Sequence, residues 1–186
     1  DGQPGCEIVY SAAFSKQSEL ASWPLDKPNT EISWQIHTKR KVSEPASLYF
    51  GNPLENNYIN YNDLFPQQHL KSEATITTPV SQLPSGKSAT VRFKLWMDIE
   101  DCEGASATQY DKFHVYLVSA VFGSQETILH KCDVPTPWQQ WRDIEIDISS
   151  AMGQAGAIRF DFDSGDAKDN DMEGIYIDDL QVEVCY

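Results

Sequence analysis

The chain has 186 residues, with 28 acidic against 14 basic side chains, a net charge of −14 and a pI near 4.5. So negative a surface excludes recognition of a phosphate backbone and disfavours an anionic membrane surface. No apolar run reaches the roughly 18 residues needed to span a bilayer, so membrane insertion is excluded too. Apolar content of 40%, with five Trp, eight Tyr and eight Phe, is enough to fill a core and argues against disorder.

In chain order, residues 7–14 read as an opening strand, and 15–30, with Pro24, Pro28 and Asn29, as a loop with Trp23 tucked beneath it. Residues 31–38 alternate at period two, with Ile32, Trp34 and Ile36 inward and Ser33, Gln35 and His37 outward. Lys39-Arg40-Lys41 is a basic triplet at a turn, read as solvated rather than as an anion contact. A short strand at 46–51 leads into an Asn-rich loop holding Tyr58 and Tyr61. Strands follow at 73–80 and at 89–98, the longest alternating run. There Ala89, Val91, Phe93, Leu95 and Met97 face one way and Arg92, Lys94, Trp96 and Asp98 the other. After a small-residue loop at 104–108, strands are expected from Asp111 through Leu117, at 126–131 and at 141–148. One helical turn fits 149–155, and strands at 158–163 and 175–184 complete the chain. About ten strands joined by turns, with no long helix, predict an all-β, two-sheet antiparallel sandwich forming a single domain over residues 1–186.

The four cysteines, Cys6, Cys102, Cys132 and Cys185, match no zinc spacing and allow three disulfide pairings. Cys6–Cys185 is favoured because the terminal strands of a sandwich often lie side by side, with Cys102–Cys132 closing a loop. Disulfides imply an oxidising, extracellular compartment. No Asn-x-Ser/Thr sequon occurs, which tilts the reading toward a bacterial source. The absence of a basic-then-apolar segment at Asp1 points to a mature or excised chain.

Residues 158–179 carry the densest chemistry. Between Asp161 and Asp179 stand eight carboxylates against one Lys, a net −7 within 19 residues. Carboxylates so crowded must protonate in part unless a cation sits among them. A loop of hard oxygen donors suits Ca²⁺; the alternative is a solvated acidic turn.

Five blocks in order resemble a known family: Trp96-Met97-Asp98-Ile99-Glu100; Tyr110-Asp111-Lys112-Phe113; Trp141-Arg142-Asp143-Ile144; Arg159-Phe160-Asp161-Phe162-Asp163; and Glu173-Gly174-Ile175-Tyr176-Ile177-Asp178-Asp179-Leu180. Together they are similar to the MAM-like, concanavalin-type jelly-roll modules of secreted bacterial peptidases and surface proteins. The last block is the most specific, although the family usually has an aromatic where this chain has Ile175. The resemblance implies a jelly-roll β-sandwich without its own catalytic activity and with a structural Ca²⁺. It also implies a role in adhesion, substrate docking or carbohydrate contact beside other domains of a larger parent protein.

In such a topology Asp98, Glu100, Asp111, Asp163 and Asp171 are expected to meet at one edge as Ca²⁺ ligands, with Asp179 and Glu7 at a second ion. An EF-hand register from Asp169 fails, because Leu180 falls where a bidentate Glu is needed. A binding face for a glycan or a cell-surface or substrate protein is expected from Arg92, Lys94, Trp96, His114, Tyr116, Arg159, Asp161 and Tyr176 on the outer side of one sheet. The competing expectation is that loops such as 52–70 cover Trp96 and Trp141. A glycosidase carboxylate pair is the remaining alternative, but the acids cluster in loops. No Gly-x-Ser-x-Gly, His-Glu-x-x-His or P-loop motif occurs.

Overall fold

A computed structural model describes residues 5–27, 32–62, 68–102, 110–121 and 123–186. The expected loop at 104–108 lies outside these. In chain order the strands are β1 (Cys6–Ala12), β2 (Leu25–Asp26), β3 (Ser33–His37), β4 (Ser47–Gly51), β5 (Asn60–Tyr61), β6 (His69–Leu70) and β7 (Glu73–Thr77). They continue with β8 (Ser81–Gln82), β9 (Ser88–Asp98), β10 (Lys112–Ser119), β11 (Gln125–His130), β12 (Arg142–Asp147), β13 (Ala155–Asp163) and β14 (Gly174–Cys185). The helical content among the described residues is three short 3-10 turns, one of them at Ser149–Ala151.

Twelve of the strands form two six-stranded antiparallel sheets, and β5 and β6 pair in a small third one. The first runs β12-β9-β14-β4-β3, with β1 also paired to β14; the second runs β11-β10-β13-β7-β2, with β8 beside β13. Apart from β3–β4 and β10–β11 the neighbours in the two main sheets are non-consecutive, and a central strand that comes last in sequence adds to the non-local character of the jelly-roll β-sandwich. β14 changes partner halfway. Gly174–Asp178 pairs with β9 and β4, a bulge follows at Asp178–Gln181, and the remainder lies between β9 and β1. Asp179 sits in that bulge with φ of 51°.

Period-two alternation decides what is buried. From the first sheet Trp34, Phe50, Phe93, Leu95 and Ile177 point inward; from the second come Ile76, Phe113, Val115, Phe160 and Phe162. Rings from opposite sheets meet between them, with Phe50 and Phe162 at 4.3 Å and Phe93 edge-on to Phe160 at 5.6 Å. The indole N–H of Trp34 crosses the core to donate to the Ala74 carbonyl at 3.0 Å, so the largest core ring leaves no polar atom unpaired. Both expected disulfides are present: Cys6–Cys185 joins β1 to β14, and Cys102–Cys132 links the loop after β9 to the turn after β11.

Candidate functional site

The eight residues expected on one face are divided between two. Arg92, Lys94 and Trp96 on β9 and Tyr176 on β14 lie outside the first sheet, whereas His114 and Tyr116 on β10 and Arg159 and Asp161 on β13 lie outside the second. Alternation places a residue on the outer side of its own sheet, but not on which sheet that strand belongs to.

On the first sheet the aromatics are covered. Tyr49, Trp96 and Tyr176 form a second apolar cluster with Trp141 at its margin, and Trp96 is 4% and Tyr176 0% exposed. Tyr49 and Tyr176 stack at 4.4 Å, and Trp96 stands edge-on to Tyr176. Segment 38–46 supplies cover for this cluster. Arg40 lays its guanidinium 3.9 Å over the Trp96 ring and grips Glu173 through two bonds of 2.7 and 2.9 Å. Glu173 also takes Lys39 at 3.0 Å and the Tyr176 hydroxyl at 3.0 Å. Fully buried Asp178 accepts the backbone N–H groups of Val42 and Ser43 and the Ser43 hydroxyl, which pins the far end of the strap. Lys39 and Arg40 of the basic triplet thus contact an anion within their own fold while staying partly exposed. Arg92 pairs with Glu183 and with Glu145 at 3.2 Å, and Lys94 pairs with Asp143, so these cations too are engaged.

Outside the second sheet the side chains are mostly partly exposed and fall into rows. Lys112, Asp163 and Glu73 make the first; His130, His114, Asp161 and Thr75 the second; Thr127, Tyr116, Arg159 and Thr77 the third. Arg159 is held flat across the sheet by Thr77 at 3.2 Å and Gln125 at 2.8 Å. The His114 and Tyr116 rings stack at 5.6 Å. The Asp161 carboxylate accepts no hydrogen bond among the described residues. Burial, with Asp163 and Glu73 nearby, pushes its pKa up to about 6 despite Arg159. A partly exposed ring, an oriented guanidinium and an unsatisfied carboxylate side by side are the elements that hydroxyl-bearing ligands need.

The predicted metal ligands are dispersed. Asp163 is paired with Lys71 at 3.2 Å and Lys112 at 3.9 Å, and Asp98 accepts from the Glu173 N–H and from Gln139. Asp171 is exposed. Glu7 stands opposite Val184, five residues from Asp179 or about 16 Å along the strand, and bonds to the Tyr186 hydroxyl. Glu100 and Asp111 do come together: each accepts the other's backbone N–H, at 2.9 and 2.8 Å. Asp111 is 1% exposed; its Oδ2 also takes the Tyr58 hydroxyl, while its Oδ1 is buried with no partner among the described residues. Burial lifts its pKa to about 7. Glu100 is raised by burial and by nearby Asp169 and Asp166. Buried Lys131 reaches this end but spends its ammonium on the Glu100 and Asp101 carbonyls, both at 2.9 Å. Among the described residues, no three of the predicted carboxylates bring oxygens within 4.8 Å of one another. The group that meets that distance, Cys6, Glu183 and Cys185, has its sulfurs in a disulfide. The Asn170 side-chain oxygen, which sequence reasoning did not single out, is also buried without a partner.

Two antiparallel sheets with this strand order define a jelly-roll β-sandwich. No family model matches the chain. It is similar to the pre-pro-metalloprotease PrtV of Vibrio cholerae, at 32% identity over 117 residues. That match covers 55% of this chain, and the chain spans 11% of the length of the curated relatives it matches. Among solved structures it is similar to the K1 cleaved adhesin domain of Lys-gingipain from Porphyromonas gingivalis W83 (TM-score 0.53, 15% identity, 95% of this chain and 98% of that one). It is likewise similar to TmCBM61, solved with β-1,4-galactotriose (TM-score 0.52, 13% identity, 88% and 89%). A third is the xylan-binding CBM22-1 domain of Paenibacillus barcinonensis Xyn10C (TM-score 0.52, 9% identity, 99% and 98%). At these identities the likeness is one of fold.

Proposed function

We propose that this chain is a non-catalytic, MAM-like attachment module, working outside the cell as an accessory domain of a secreted bacterial peptidase or surface protein. Its docking surface is the open face of the second sheet. The observation that carries this reading is the juxtaposition of Tyr116, Arg159 and Asp161 in adjacent rows of the second sheet. A neutral glycan fits: the apolar face of a sugar ring stacks on Tyr116, and its hydroxyls donate to Asp161 and accept from Arg159. The likeness in fold to a galactotriose-bound and a xylan-binding module supports the ligand class.

The test is a glycan array on the intact chain beside Tyr116→Ala, Arg159→Ala and Trp96→Ala. Binding should weaken at least tenfold in the first two and persist in the third. Loss confined to Trp96→Ala would move the site to the first sheet. Silence on every glycan, with capture of a surface protein that Tyr116→Ala abolishes, would favour protein docking on this face.

A Ca²⁺ at the acidic end belongs to the same proposal. It would be held by Asp111 and Glu100 with carboxylates of the 164–173 loop, and the unpartnered Asp111 oxygen supports it. Bound there, the ion supplies charge neutralisation that fixes the loops flanking the sandwich rim.

A further inference from the structure

Beyond the row of Thr127, Tyr116, Arg159 and Thr77, the second sheet runs into a cavity of about 220 Å³ between the turn joining β10 to β11 and the segment 149–155. Leu117 and Gly156 make its buried floor, while Ser124, Glu126, Ser150 and Gln154 are exposed around it. Gly156 keeps the floor bare, since a Cβ there would stand 3.1 Å from the Val118 carbonyl oxygen. Backbone bonds fix the walls. The Ser119 N–H donates to the Ser124 carbonyl at 2.8 Å and the Ala120 N–H to the Ala155 carbonyl at 2.9 Å. On the other side the Gln154 N–H donates to the Ala151 carbonyl at 3.1 Å. A site built this way is formed before a ligand arrives and costs little ordering on binding.

One residue belongs to both the cavity and the face described above. Gln125 lines the cavity, and its Oε1 accepts from Arg159 Nη1 at 2.8 Å. It stands opposite Val118, which is also in the lining and lies two residues, or about 7 Å, past Tyr116 along the strand. The cavity is thus the next station along the strands from Tyr116 and Arg159, at a spacing close to the repeat of a sugar chain.

The lining mixes apolar and hydrogen-bonding groups. Leu117, Val118 and Ala155 offer hydrocarbon surface, and the Ser124 and Ser150 hydroxyls and the Gln154 amide offer donors and acceptors. A sugar ring needs that pairing, having an apolar face and a hydroxyl edge. Glu126 is the one ionisable side chain of the lining among the described residues, which disfavours an anionic ligand. Drug-sized ligands occupy about 300–1,000 Å³. The smaller volume here takes a single ring, and the buried floor stops a chain from running on through it.

We propose that the ligand is recognised by its end, with one terminal sugar ring seated in this cavity and the ring that follows it on Tyr116 beside Arg159. The inference rests on the reading above that a neutral glycan docks on this sheet.

Calorimetric titration of the intact chain tests it, with β-1,4-linked galacto- and xylo-oligosaccharides and their parent polymers as probes. Affinity should level off by the trisaccharide, and a long polymer should take up one molecule of the protein per chain. Ser150→Trp fills the cavity from its exposed side and should weaken trisaccharide binding about tenfold with an unchanged urea midpoint. Gln154→Ala, a smaller change at the same rim, should weaken it several-fold. Many protein molecules on each polymer chain, or affinity untouched by both variants, overturns end recognition and leaves the glycan reading standing. No binding of either series at any length sinks the glycan reading itself, and end recognition falls with it.

Discussion

The guanidinium of Arg40 lies 3.9 Å over the ring of Trp96 while both its bonds to a carboxylate run to Glu173, 133 residues further along the chain. This one side chain closes the outer aromatic cluster of the first sheet. Gly174, with φ of +104° and no room for a Cβ beside the Phe50 carbonyl, brings Glu173 close enough for the grip. The strap explains why the residues that look most like a sugar platform are covered.

Arg40→Ala should therefore destabilise the fold by about 1–3 kcal/mol, because half-buried Glu173 keeps only Lys39 and the Tyr176 hydroxyl. Urea unfolding gives the loss, and iodide quenching of tryptophan fluorescence should rise as Trp96 is uncovered. An unchanged midpoint and unchanged quenching would show that the strap is ornamental.

Asp111 makes stability depend on pH in a direction unusual for a carboxylate. Its folded-state pKa of about 7 lies above the unfolded value of about 4, so folding takes up a proton between those limits. Below pH 4 that contribution is fully present, and it is lost as pH rises through 7, by up to about 4 kcal/mol. Calcium-free protein should thus melt higher at pH 5 than at pH 7.5. Added Ca²⁺ should remove the slope, since a bound cation favours the ionised form. Asp111→Asn should flatten the slope and abolish any Ca²⁺-induced rise in Tm. A Tm indifferent to calcium in the parent chain would end the metal proposal.

The core depends on rings from both sheets meeting at one level. Phe160 is fully buried and touches Trp34 at 6.2 Å and Phe93 at 5.6 Å between ring centres. Phe160→Ala should cost about 3–5 kcal/mol in denaturant unfolding, from lost transfer energy plus the cavity. A cost under 1 kcal/mol would mean the sheets collapse together to refill the space.

Replacing Cys6 and Cys185 by Ser releases a closure spanning 179 residues. The chain-entropy account puts that near 5 kcal/mol, so Tm should fall by more than 10 °C. Removing Cys102–Cys132, whose separation is 30, should cost about 1.5 kcal/mol less on the same account.

The sandwich was legible because alternation is local: the inward run Ala89, Val91, Phe93, Leu95 and Met97 is fully buried, as its spacing requires. The cysteine pairing followed from the adjacency of terminal strands. Four two-residue strands, β2, β5, β6 and β8, were not legible, since a two-residue ladder carries no periodicity. The contact of Lys39 and Arg40 with Glu173 was not legible, because Glu173 lies more than 130 residues further along the chain.

By itself the sequence determined which side of every long strand is apolar, which residues carry ionisable groups and how acidic the rim is, since these depend on composition and on near neighbours. Only the tertiary structure decided that β9 and β10 belong to different sheets, so that Trp96 and Tyr116 face away from each other. It likewise left Asp111 Oδ1 buried with no partner among the described residues, while Asp163 found two lysines. The reason is physical: strand pairing in a jelly roll is set by the joint burial of residues far apart in the chain, and no local period records which distant strand will be the neighbour.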